Sequence, residues 1–172
     1  LSYTSMETWF PANPNIKPIV ASTYSLGWFQ SLSDSYFLSV ETYYKGIENQ
    51  IDYVDHAKLV ENPFIEGEVR SGDAYAYGAE LLLKMDYDRF AGSVSYCYSR
   101  AFRRIEGINS GERYSSPFDI PHDIRLNGHY KLTNRWSLSS AWVFMSGRPV
   151  TLPIGFYFEN PQNPIPIYSD RN

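Results

Sequence analysis

The chain has 172 residues and a formal net charge of -4, which argues against a nucleic-acid binder, since those carry a basic surface. Its hydrophobic share of 43% is ordinary, but 17% of its residues are aromatic, with 15 Tyr, 10 Phe and 4 Trp. One cysteine, Cys97, excludes an internal disulfide framework, and no apolar run reaches the roughly 18 residues of a membrane-spanning helix.

Residues 1–18, with Trp9, Phe10, Pro11, Asn13, Pro14 and Asn15, read as loop. The opening Leu1-Ser2-Tyr3-Thr4-Ser5 lacks the basic start and apolar stretch of a signal peptide, and Tyr168 to Asn172 closes without a strand signal. Both ends suggest a piece of a longer polypeptide. A first strand is predicted over about 19–32, with Tyr24, Leu26 and Trp28 on one face and Thr23, Ser25 and Gly27 on the other. Ser33-Asp34 turns it into a second, about 36–53, with Tyr36, Leu38, Val40 and Tyr44 opposed to Ser39, Glu41, Tyr43 and Lys45. Beyond Gly46 that pattern becomes polar on both faces, and a long loop is predicted over 57–72.

The third strand, about 73–87, is the cleanest. Tyr75, Tyr77, Leu81, Leu83, Met85 and Tyr87 alternate with Ala76, Gly78, Glu80, Lys84 and Asp86. A fourth follows over about 90–103, with Phe90, Val94, Tyr96 and Tyr98 against Ser93, Ser95, Cys97 and Ser99. After a second long loop, 104–122, the fifth strand (123–132) sets Ile124, Leu126 and Tyr130 against Arg125, Asn127, His129 and Lys131. Thr133-Asn134-Arg135 turns into the sixth, 136–151, with Trp136, Leu138, Trp142 and Phe144 on one face; the Pro-rich stretch 152–172 reads as loop.

Short turns and long loops therefore alternate. Aromatics gather in two groups: Trp28, Tyr36, Tyr87, Phe90 and Trp136 near the short turns, and Tyr44, Tyr77, Tyr98, Trp142 and Phe144 further along. The interval from Tyr36 to Tyr44 or from Tyr77 to Tyr87 covers roughly 20–25 Å of membrane normal for a tilted strand. Two aromatic girdles around an apolar band are the pattern of an outer-membrane barrel, with short turns periplasmic and long loops extracellular. A mean hydropathy of -0.38 is compatible with it, because only alternate residues of a barrel strand face lipid. The predicted fold class is all-β: an antiparallel transmembrane β-barrel segment of about six long strands in three hairpins. A soluble β-sandwich binding module or lipocalin-like barrel would reverse the two faces, yet the polar face lacks the dense Lys/Glu cover of a soluble surface.

Several motifs fit a family in order and spacing. Asn13-Pro14-Asn15-Ile16-Lys17-Pro18, followed by Tyr24-Ser25-Leu26-Gly27, resembles a loop-and-strand segment of TonB-dependent outer-membrane receptors, with Ile19 where the family has an acid. Tyr77-Gly78-Ala79-Glu80-Leu81 resembles the family's Gly-x-Glu strand start. Phe118-Asp119-Ile120-Pro121-His122-Asp123 is similar to its Asp–Pro–His approach to a late strand, and Ser146-Gly147-Arg148-Pro149-Val150-Thr151 to its Ser-Gly-x-Pro stretch. The resemblance covers nearly the whole chain. It implies a late part of a roughly 22-strand plugged barrel, the plug, the energy-coupling box that contacts TonB and the last strands lying outside these residues. It also implies uptake of a scarce nutrient such as an iron chelate, cobalamin or glycan. A passive structural or adhesive barrel remains the alternative.

No catalytic constellation is visible, and neither an enzyme nor a cofactor is predicted. His56 with Asp52 and Asp55 has the residue types of a metal site, but a solvated strand extension explains the run more simply. Ser115, Asp119 and His122 have the types of a triad without a nucleophile elbow. Glu41, Lys45, Glu80, Lys84, Arg125 and His129 are expected to face the lumen and the plug, and the aromatic girdle to face outer-membrane lipid. Loop aromatics Trp9, Phe10, Tyr114, Phe118, Phe156 and Tyr157 could stack on a small-molecule ligand or pack the loops together.

Overall fold

The computed structural model describes residues 11–55, 57, 62–160, 163–169 and 171, so Trp9, Phe10 and His56 lie outside the described residues. Its main sheet is antiparallel and built from β1 (Val20–Ser33), β2 (Tyr36–Tyr53), β3 (Val69–Tyr87), β4 (Phe90–Arg104), β5 (Tyr114–Ser115), β6 (His122–Lys131) and β7 (Ser137–Met145). The spatial order is β1-β2-β3-β4-β6-β7, with β5 also against β4. A separate hairpin pairs β8 (Pro153–Asn160) with β9 (Asn163–Tyr168).

The short connections close as tight turns. Asp88 takes a left-handed φ of 49° between β3 and β4, a conformation Asp tolerates. Between β6 and β7 the Thr133 hydroxyl accepts the N–H groups of Arg135 and Trp136 at 3.2 and 3.1 Å. At the other end β2 carries a bulge: Ile47 pairs with Ala74 but Gln50 with Gly72, and Asn49 sits at φ 56°. The extra residue exchanges the two faces of β2 beyond it.

Three sequence expectations change. The ladder between β2 and β3 continues past the bulge to Tyr53 and Val69, so β3 starts four residues before the expected 73 and the loop shortens. The sixth strand ends at Met145 rather than near 151, because Gly147 and Pro149 follow and proline has no N–H for a ladder. The stretch 152–172, read as loop, contains the β8–β9 hairpin. Pro164 and Pro166 share one parity on a strand paired along one edge, where missing N–H groups leave the ladder intact.

Among the described residues the sheet has no sandwich core of its own. Ile105, Ile108 and Tyr114 are the fully buried large side chains among the described residues, and all three stand beyond β4 at the loop end. The register instead keeps two faces apart. Tyr24 opposes Tyr44, which opposes Tyr77, while Leu83 opposes Leu38 and Val94, and Val94 opposes Leu126. On the reverse face Gly27, Glu41, Glu80, Cys97, Asp123 and Met145 form one cross-strand row. A hollow of about 810 Å³ spans the short-turn end of this second face, lined by Phe37, Lys84, Ser93, Asn127 and His129, so the sheet curls toward it.

Gly78 marks a place where that curl needs a missing side chain. A Cβ there would stand 2.5 Å from the Tyr98 carbonyl oxygen and 2.8 Å from the Tyr43 ring, whereas at Gly46 the nearest atom is 3.9 Å away. Gly78→Ala should therefore destabilise by about 1–3 kcal/mol and Gly46→Ala by much less. Urea titration followed by the gel mobility of folded barrel checks the pair; equal midpoints would contradict the close approach.

Candidate functional site

Three zones carry the chemistry: the apolar face, the polar face, and the loops above the end remote from the short turns. On the apolar face the predicted girdle residues Trp28, Tyr36, Tyr44, Tyr77, Tyr87, Phe90, Tyr98, Trp142 and Phe144 share one side of the sheet by register. Trp136 stands just before β7 and is exposed. Trp142 and Phe144 stack with centroids 6.3 Å apart. Exposure here is high for apolar side chains, 77% for Leu26, 52% for Trp28 and 51% for Trp142. A continuous exposed face of this kind is foreign to a soluble monomer.

The polar face brings together Glu41, Lys45, Glu80, Lys84, Arg125 and His129, all expected there. Arg125 forms a forked pair with Asp123 at 2.8 and 3.0 Å. The Lys84 ammonium lies 5.9 Å from the centroid of the Phe37 ring, and His129 Nδ1 is hydrogen-bonded to Ser139 Oγ at 2.9 Å. Glu41 and Glu80 stand directly opposite each other across β2 and β3, and neither has an ion-pair partner among the described residues. Directly opposed like charges weaken a sheet, so this pair favours a cation arriving from another element.

At the loop end an ionic network closes over the polar face. Asp52 accepts hydrogen bonds from Arg103 Nη1 (2.8 Å), the Tyr114 hydroxyl (2.8 Å) and Arg171 Nη1 (3.1 Å), and Asp55 accepts from Arg171 Nε at 2.7 Å. Tyr114 is 2% exposed, with the Arg171 guanidinium over its ring. Tyr114 thus packs as loop core with Ile105 and Ile108. Burial, reinforced by the Asp52 carboxylate, raises its phenol above the usual 10.0. The stability from that bond is intact below pH 10 and is lost as pH rises toward the raised value. Phe118, by contrast, is 75% exposed, and Phe156 and Tyr157 are exposed on β8.

Asp52 and Asp55, considered beside His56 as metal ligands, are held by arginines, and no cluster of three potential ligands exists among the described residues. The triad types do not converge. His122 Nδ1 bonds the Tyr96 hydroxyl at 2.9 Å, while Asp119 pairs with Arg100.

Asp119 has a structural task that sequence reasoning missed. Between β5 and β6 the chain passes Pro117 and Pro121 and leaves the β4 ladder; the buried Asp119 carboxylate takes the Ala101 N–H at 2.8 Å and Arg100 Nε at 3.2 Å. An acceptor between two residues without N–H groups is the signal that could have revealed it. The Asp52 network was hidden because the bulge that aims Asp52 has no strong sequence signature.

An exposed apolar band, a polar reverse face and long in-register antiparallel strands define a strip of transmembrane β-barrel wall. The chain belongs to the TonB dependent receptor-like β-barrel family, whose sequence model matches residues 2–164. That is a family of outer-membrane transport receptors rather than enzymes, which in general pair a barrel with a plug domain and interact with TonB. Comparison with curated proteins and with solved structures returns no significant match.

Removing the Asp119 carboxylate leaves the Ala101 N–H and the Arg100 charge without their acceptor. Asp119→Ala should destabilise by about 1–3 kcal/mol, and Asp119→Asn, which keeps an acceptor oxygen, by less. Hydrogen exchange at Ala101 reports the effect directly: unchanged protection in Asp119→Ala would remove this role.

Proposed function

We propose that the chain forms wall and outer loops of a receptor that actively imports a scarce nutrient, such as an iron chelate, cobalamin or glycan. The observation that carries this reading is the separation of faces, kept in register through six successive strands. In it the aromatic-bounded face meets outer-membrane lipid. The polar face meets the plug, which supplies a cation between Glu41 and Glu80 and partners for Lys45 and Lys84. The long strands β1 and β7 each lack a neighbour on their outer edge among the described residues, and further barrel strands pair with those edges. Phe118, Phe156 and Tyr157 are the loop aromatics left exposed for ligand contact, alongside the sequence candidates Trp9 and Phe10. TonB contacts a coupling segment outside these residues.

Leu83 is midway between Tyr77 and Tyr87 on the apolar face, and Lys84 next to it faces the other way. Leu83→Arg should destabilise the folded barrel by about 2–4 kcal/mol in lipid, while Lys84→Ala changes little. The reverse ranking in a lipid-vesicle denaturation series would overturn the face assignment. For the cargo, a deletion strain grown on single iron sources and glycans should fail on one of them and recover with the intact gene; undiminished growth on all would refute import.

A further inference from the structure

Among the described residues no ladder joins the β8–β9 hairpin to the main sheet. It closes its own base instead: the Ser169 N–H donates to the Leu152 carbonyl at 2.9 Å, and the Leu152 N–H to Ser169 Oγ at 3.2 Å. Before the hairpin, Ser146 is fixed to β6. Its N–H donates to the His122 carbonyl at 2.8 Å, and its hydroxyl oxygen accepts the His122 N–H at 3.0 Å. Residues 147–151, between these two fixed points, belong to no strand, and a Cβ at Gly147 would meet nothing within 4 Å. After the hairpin, Arg171 grips the end of β2 and the turn beyond it. Its Nε donates to Asp55 at 2.7 Å, its Nη1 to Asp52 at 3.1 Å and its Nη2 to the Tyr53 carbonyl at 2.8 Å. The same guanidinium lies 5.3 Å from the centroid of the Tyr114 ring.

Asp52 has more donors than it can hold equally. Its Oδ2 accepts from Arg103, Tyr114 and Arg171 together, and its Oδ1 takes the Tyr53 N–H at 2.9 Å. A carboxylate oxygen offers about two lone-pair sites, so three donors on one oxygen compete. Arg171 makes the longest of the three bonds. Burial ranks the pairs the same way: the Arg103 and Asp52 side chains are 14% and 15% exposed, those of Arg171 and Asp55 22% and 42%. Letting Arg171 go leaves Asp52 with Arg103 and Tyr114 and passes the Arg171 and Asp55 charges to water. Letting Arg103 go strands a charge that is largely buried, which is far more costly. The seam beneath Arg171 is also loosely filled. Ser115 and Pro117 on one side and Pro149, Val150 and Thr151 on the other enclose a hollow of about 60 Å³, where a permanent contact would be close-packed.

We infer that Arg171 is a releasable catch, and that when it lets go the β8–β9 hairpin swings as a unit about residues 147–151. Asp52 with Arg103 and Tyr114 is the fixed post, and the Arg171 bonds to Asp52, Asp55 and Tyr53 are the part that opens. Phe156 and Tyr157 ride on the hairpin, whereas Phe118 stays with the loop that Asp119 and Tyr114 anchor. The catch therefore sets the spacing between the two halves of the exposed aromatic set. That consequence rests on the reading of these aromatics as ligand contacts; the catch itself stands without it.

The test uses the full receptor carrying Cys97→Ser, with spin labels at Phe64→Cys and Ile154→Cys, exposed positions on the fixed and the swinging side. Pulsed electron spin resonance reads the distance between them. The labelled parent should give one dominant distance. Arg171→Gln should raise the population at other distances about fivefold, and Arg171→Lys, whose ammonium cannot reach all three acceptors, by less. Hydrogen exchange at the Ser169 amide should stay as slow as in the parent, because the hairpin keeps its base while it swings. An Arg171→Gln distribution that matches the parent's, or lost protection at Ser169, overturns the inference. In the parent itself, about 1 M sodium chloride should populate the same second distance, since salt screens the exposed Arg171–Asp55 pair. A distance unmoved by salt overturns the inference too, and this arm decides even if the Arg171 variants fail to assemble. Opening in Arg171→Gln with undiminished growth on the nutrient that the deletion strain loses upholds the catch and refutes the ligand-contact reading.

Discussion

Because neither face of the main sheet packs against a second layer among the described residues, the molecule depends on the backbone hydrogen bonds that join its strands from β1 to β7. In hydrocarbon an unpaired N–H or C=O costs several kcal/mol, so the ladder is a requirement of the solvent as much as a source of strength. Where the two prolines interrupt the pairing beside β4, a side-chain carboxylate, Asp119, takes the N–H that a backbone carbonyl would have taken. Gly78 loses a side chain so that the Tyr98 carbonyl and the Tyr43 ring can approach.

The same ladder fixes what each face can do. With period-two side chains and registers that never slip between Tyr75 and Tyr87, one choice of face on β3 propagates to both neighbours. An aromatic at Tyr77 therefore aligns with Tyr44 on one side and Arg100 on the other, and Glu80 aligns with Glu41 and Cys97. The first row sets two aromatic rings beside a guanidinium on the apolar face. The second, with two opposed carboxylates, is unfavourable unless a positive group enters from outside the sheet.

Period-two alternation made the long strands and their faces legible in the sequence, because β3 and its neighbours largely keep it, with Leu82 and Phe37 as apolar residues on the polar face. What the sequence did not reveal lies where alternation stops. The β8–β9 hairpin is rich in proline, and a Pro-x-Pro strand has the composition of a loop even when it pairs. The loop core of Ile105, Ile108 and Tyr114 has no periodicity, since it is assembled from turns across the rim. The arginines around Phe102 follow no periodic pattern, yet four of them, Arg100, Arg103, Arg104 and Arg113, fall close together in a chain that is acidic overall.

The bulge at Asn49 joins these observations. Without it Asp52, an even-numbered residue of β2, would lie on the same face as Tyr44 and Val40 and point a carboxylate toward the apolar side. One extra residue exchanges the faces, so Asp52 reaches the polar side, where Arg103 and Tyr114 meet it. Beside Tyr114, Arg113 is turned by the ordinary alternation of a strand to the other side and onto Phe102. Two adjacent residues of one loop thus serve opposite faces: Tyr114 ties the loop down over the polar side, and Arg113 holds a charge above the apolar one. Untying Tyr114 would free the backbone that aims Arg113, so the anchoring of this loop over the polar face and the charge above the apolar one are coupled through a single peptide unit.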